Sequence, residues 1–237
     1  MDPITRTETV TAPDGGTFDA HVALPEGGTG PGLLLLQEIF GVNSYLKAVG
    51  DRLAWLGYVV LAPDLFWRIE RNIALPHDEA SLATAFGYLQ RFDLDQGLLD
   101  CDAALAHLRA LPEVDDGKAG VLGFCLGGRM AYGVAARSEP DTAVSYYGSG
   151  IADALDEAGR ITSPVLFHFG QEDPFIGLDQ VERIREALGG RAEVELHVHE
   201  GAGHAFDNHA APMFHDAAAA AKAWAVTVDF LSRTLPA

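Results

Sequence analysis

The chain has 237 residues, 34 Asp and Glu against 16 Lys and Arg, a formal net charge of −18 and 48% hydrophobic residues. Such acidity disfavours nucleic acid and anionic membrane surfaces as partners, because both call for a basic footprint. Two cysteines, Cys101 and Cys125, are too few for a disulfide scaffold, and the N-terminus has no charged segment leading into an apolar one. The expectation is one cytoplasmic domain over residues 1–237 with no membrane span, burying roughly 70 to 75% of its unfolded surface.

In chain order, residues 5–10 and 18–24 are β-rich runs around Pro13-Asp14-Gly15-Gly16, the pattern of an antiparallel hairpin. Alternation then sets in. Leu33 to Leu36 form a buried strand, 45–56 an amphipathic helix, and 58–62 a strand ended by Pro63. Segment 67–82 is poorly patterned and is read as passing over the pocket. A helix over 95–111, a strand at 120–122 and a helix over 129–137 follow. Strands at 143–147, 165–169 and 194–198 flank a helix over 178–188, and a last helix runs over about 212–231. This order predicts a mostly parallel sheet with helices on both faces, its reactive site beyond the strand C-termini.

The stretch Gly123-Phe124-Cys125-Leu126-Gly127-Gly128 puts cysteine where the nucleophile elbow G-x-S-x-G of α/β-hydrolases carries serine, between a strand and a helix. Small neighbours suit a strained turn, and unpaired N–H groups at the helix start favour a thiolate. A cysteine nucleophile needs a base, and the base needs a carboxylate to fix its tautomer. Asp173 follows the 165–169 strand and His204, between Gly201, Gly203 and Ala205, follows the next, giving the order nucleophile, acid, histidine of that fold.

Cys101, beside Leu98 and Leu105 on a predicted helix, reads as an inert small hydrophobe. His197 and His199 alternate on a strand, but no metal-binding pattern accompanies them, and no metal or cofactor is expected. His168, His209 and His215 are read as structural. Glu38, two residues past four consecutive leucines, is costly unless used, and is read as a capping acid or as a group that hydrogen-bonds the resting thiol. The loop that carries it follows the strand that supplies the second oxyanion donor in this fold, so Ile39 N–H is paired with Leu126 N–H as the oxyanion hole.

Across nearly its whole length the sequence resembles the dienelactone hydrolases, or carboxymethylenebutenolidases, through Gln37-Glu38-Ile39-Phe40-Gly41, Ala62-Pro63-Asp64-Leu65-Phe66, the Cys125 elbow, Tyr146-Tyr147-Gly148, the Asp173 loop and Gly203-His204-Ala205-Phe206. The resemblance implies a cofactor-free, monomeric cytosolic α/β-hydrolase that opens a lactone through an acyl-cysteine. It implies Cys125 as nucleophile, His204 as base, Asp173 as its orienter and Glu38 as an acid assisting the thiol, with Phe40, Tyr147, Leu82 and Asn208 against the substrate. Leu82 and Asn208 stand where the family places two arginines that grip the carboxylate of dienelactone. Arg68, Arg71 and Arg91 are the replacements considered, and the expected activity is cysteine-dependent hydrolysis of a lactone or small carboxylic ester. A general carboxylesterase or thioesterase, and a thiol-based redox sensor or ligand-binding protein, are the competing functions.

Overall fold

A computed structural model describes residues 2–237. Eight strands form one sheet in the order β1-β2-β4-β3-β5-β6-β7-β8. The hairpin is β1 (Ile4–Thr11) and β2 (Thr17–Leu24), and β2 runs antiparallel to β4 (Val59–Pro63). From β4 onward every pairing is parallel: β3 (Gly30–Leu36), β5 (Val114–Phe124), β6 (Ala143–Tyr146), β7 (Val165–Gly170) and β8 (Val194–His199).

Successive strand side chains point to opposite faces, yet every residue of β3 and β4 is buried, so both faces are covered. Helices α1 (Ser44–Trp55), α3 (Leu94–Ala110), α4 (Leu126–Arg137) and α6 (Ala217–Thr234) pack on the sheet, and α5 (Leu178–Leu188) packs on two short 3-10 turns, Ile151–Asp153 and Leu155–Arg160. The helix starts follow local chemistry. Asn43, Asp93 and Asp216 each cap a helix by accepting from backbone N–H groups of its first turn.

The structure departs from the sequence expectation in several places, β5 and α4 among them, which begin six and three residues earlier than expected. Pro63 lies inside β4 as its last residue. The unpatterned segment ends in an additional helix, α2 (Glu79–Arg91), capped by Asp78. Leu82, Phe86 and Leu89 border a cleft, and Leu82, Tyr88 and Leu89 also pack against the core. The last helix begins at Ala217, five residues late, because the Asp216 cap sets its start more strongly than Pro212. The two 3-10 turns were not anticipated. Among the described residues no helix is long and apolar enough to cross a membrane.

Candidate active site

Cys125 sits between the last residue of β5 and the first of α4 at φ 53° and ψ −113°, in the left-handed φ range that side chains disfavour. The surrounding glycines are a steric necessity. A Cβ on Gly123 would lie 2.0 Å from the Gly127 carbonyl oxygen, and one on Gly127 would lie 2.2 Å from that of Leu36. With no side chain in the way, Gly127 N–H donates to the Gln37 carbonyl at 2.9 Å and locks the elbow to the loop after β3. Gln37, fully buried, also receives Leu65 N–H on its side-chain oxygen at 3.2 Å, tying that loop to the end of β4.

The thiol, imidazole and carboxylate come together from three strand ends. His204 Nε2 lies 3.2 Å from Cys125 Sγ, and its Nδ1–H donates to Asp173 Oδ2 at 2.8 Å. Asp173 is itself held, its Oδ1 accepting from Phe175 N–H at 2.8 Å and Ile176 N–H at 3.2 Å. Burial by itself lowers the pKa of His204. The charge of the Cys125 thiolate and the hydrogen bonds to Asp173 and Cys125 outweigh burial and raise it to about 10. Tyr147 and Ala205, flanking the site, also adopt positive φ, 37° and 56°, so backbone strain gathers around the reacting groups.

Leu126 and Ile39 border Cys125 in one pocket, and among the described residues neither backbone N–H donates to a protein acceptor. Leu126 N–H is free because it opens α4. Both N–H groups are therefore without a protein acceptor in the pocket that holds Cys125.

Glu38 differs from the expectation of a bond to the resting thiol. Its Oε2 accepts from Asn208 Nδ2 at 2.6 Å and from His77 Nε2 at 3.1 Å, and its Oε1 from Tyr147 hydroxyl at 3.3 Å. A carboxylate this buried needs several donors, and these three supply them, while the thiol is left to His204. His77 is a residue of the candidate site that sequence reasoning missed. It lies in the unpatterned segment just before the Asp78 cap, and its partner is 39 positions away. Asn43, the α1 cap, also donates to the Leu75 carbonyl at 3.0 Å, which helps hold that segment in place.

A cleft of about 610 Å³ opens above these groups. Cys125, His204, Glu38, His77, Phe40, Leu82 and Asn208 line it; Tyr147 lies beneath, buried against the His204 ring at 5.2 Å. Two of the arginines weighed as replacements turn elsewhere. Arg68 pairs with Asp100 and Asp14, and Arg71 reaches the Thr17 carbonyl. Of the histidines, His199 points into the protein, its Nε2 3.0 Å from His168 Nδ1, and His215 lies 3.1 Å from the Phe206 carbonyl.

A profile of the Dienelactone hydrolase family matches residues 18–235. The chain belongs to that family. A carboxymethylenebutenolidase of a Pseudomonas species is 38% identical over 231 residues, covering 96% of this chain and 94% of the relative. The enzyme of the same name from Pseudomonas putida is 37% identical, covering 92% of each. Among solved structures, a dienelactone hydrolase-like promiscuous phosphotriesterase from metagenomic libraries superposes with a TM-score of 0.81 at 27% identity over 98% of this chain and 99% of that one. A Pyrococcus furiosus esterase, at TM-score 0.73 and 18% identity over 98% and 94%, shares the fold. This dienelactone hydrolase family member is an α/β-hydrolase and an enzyme of the carboxylic ester hydrolase class.

Proposed function

We propose that the protein hydrolyses a lactone or small carboxylic ester through an acyl-cysteine. The observation that carries this reading is the continuous chain Cys125 Sγ, His204 and Asp173, with contacts of 3.2 and 2.8 Å, at the floor of an apolar cleft. The thiolate attacks the carbonyl carbon, and the N–H groups of Leu126 and Ile39 receive the developing oxyanion. As the tetrahedral centre collapses, the carbon–oxygen bond breaks and the imidazolium gives its proton to the departing oxygen, leaving an enol or alcohol that stays tethered when the substrate is a lactone.

Acylation then prepares the second half. Once the sulfur is esterified it carries no charge, so the interaction that raised His204 is lost and its pKa falls. Neutral His204 takes a proton from water, hydroxide adds to the thioester, and the thiolate leaves, restoring the imidazolium pair. Asp173 keeps the tautomer with Nε2 toward the reaction throughout. Glu38, held by Asn208, His77 and Tyr147, contributes fixed negative charge at the cleft floor.

Cys125→Ala is expected to abolish turnover of any ester or lactone that the parent hydrolyses, and mass spectrometry of the parent quenched during turnover is expected to find an acyl-sized mass increment on Cys125. Full activity in Cys125→Ala, or an oxidised thiol as the sole modification, overturns the reading.

A further inference from the structure

The cleft is walled by apolar side chains, several of them only partly covered by the core. Helix α2 turns Leu82, Phe86 and Leu89 into it, positions i, i+4 and i+7 on one helix face. Ala85 is the one fully buried residue of that helix; Leu82 and Leu89 touch the core with part of their surface and the cleft with the rest, while Phe86 stands in the cleft alone. Phe175 and Met213 border the cleft with α2, and Phe86, Phe175 and Met213 remain 36%, 52% and 58% exposed. Three large apolar side chains gathered at the mouth of one cleft form a surface that gains free energy when an apolar group covers it.

The charges argue in the same direction. Glu38 is a buried carboxylate in the cleft wall, and its donors Asn208, His77 and Tyr147 are already spent on it. Among the described residues no Lys or Arg lines the cleft, and Asp216 adds a second carboxylate to its lining. Arg129 borders the smaller pocket on the other side of Cys125, but it shares that pocket with Asp153 and lies 3.7 Å from Glu157. A carboxylate entering the main cleft would surrender its water without meeting a guanidinium, and would approach Glu38 as a like charge.

We propose that this cleft selects uncharged lactones or esters bearing an extended apolar or aromatic group, which lies along Leu82, Phe86 and Phe175, and rejects substrates that carry a free carboxylate. The inference deepens the hydrolase reading above and rests on it for the reacting bond. Recognition is thereby moved from ion pairing to apolar burial, and α2 becomes the specificity-determining wall.

The test uses an aryl-substituted enol-lactone bearing a free carboxylate and the methyl ester of that same acid, a pair differing in charge at one position. Binding of each to Cys125→Ala is measured by calorimetry, and kcat/KM for each is measured on the parent. The methyl ester is expected to bind at least about tenfold tighter, Phe86→Ser to weaken the ester more than the acid, and Leu82→Arg to narrow or reverse the preference. The acid binding as tightly as the ester, failure of the ester to bind, or Phe86→Ser leaving ester binding unchanged overturns the proposal whatever the turnover. Tight ester binding with no turnover by the parent sinks the hydrolase reading instead and leaves the selectivity standing.

Discussion

Replacing Asp173 by asparagine changes one atom in the catalytic chain and leaves the rest of the residue's contacts available. Oδ1, which accepts from Phe175 and Ile176 N–H, is retained as the amide oxygen, while Oδ2, 2.8 Å from His204 Nδ1, becomes an NH2 donor. Two effects follow. An NH2 facing Nδ1 favours the tautomer with the proton on Nε2, so the nitrogen facing Cys125 can no longer accept one. The imidazolium also loses its counter-charge. With charge centres about 4 Å apart and an effective dielectric of about 20, that interaction is worth about 4 kcal/mol, or about three pKa units. His204, raised to about 10 first by the charge of Cys125 and then by its hydrogen bond to Asp173, should titrate lower in the variant while the retained Cys125 keeps it above its ordinary value. The expected kinetic loss is about a thousandfold in kcat with a smaller change in KM. Turnover of a nitrophenyl ester and NMR titration of His204 in parent and variant check the two halves separately. A kcat within fivefold of the parent, or an unmoved His204 titration in a correctly folded variant, refutes the argument that Asp173 holds both tautomer and charge.

Gly127→Ala should be destabilising by about 3 kcal/mol or more, because its Cβ would lie 2.2 Å from the Leu36 carbonyl oxygen; Gly87→Ala, with open space around it, is the control and should melt near the parent. Acid should weaken the fold through the buried His168 and His199. Burial, then the charges of Lys222 and His197, lower His199 to about 4, and burial also lowers His168. Both are therefore neutral in the folded state while their unfolded counterparts bind protons below about 6.5, so this stability is present above pH 6.5 and is lost as pH falls toward 4. His199 alone accounts for up to about 2 kcal/mol between pH 6.5 and 5. A urea midpoint that does not fall between pH 7 and 5 contradicts this.

The sequence by itself determined the elements whose signal is local. Alternating apolar runs and capping residues specify the parallel sheet, and the elbow needs glycine at 123 and 127 because backbone approaches within contact distance there. The order Cys125, Asp173, His204 was readable because each residue follows its own strand, and parallel strands deliver their C-terminal loops to one edge. What tertiary structure alone decided is how side chains from distant segments share charge and space. Glu38 is satisfied by His77, Tyr147 and Asn208, partners 39, 109 and 170 positions away, so no local pattern could reveal that the carboxylate is engaged apart from the thiol. Helix α2 carries a readable local signal, the Asp78 cap and the i, i+4, i+7 spacing of Leu82, Phe86 and Leu89, but only the tertiary structure decided that this face borders the cleft as well as the core, because the opposing wall comes from segments far away in the chain.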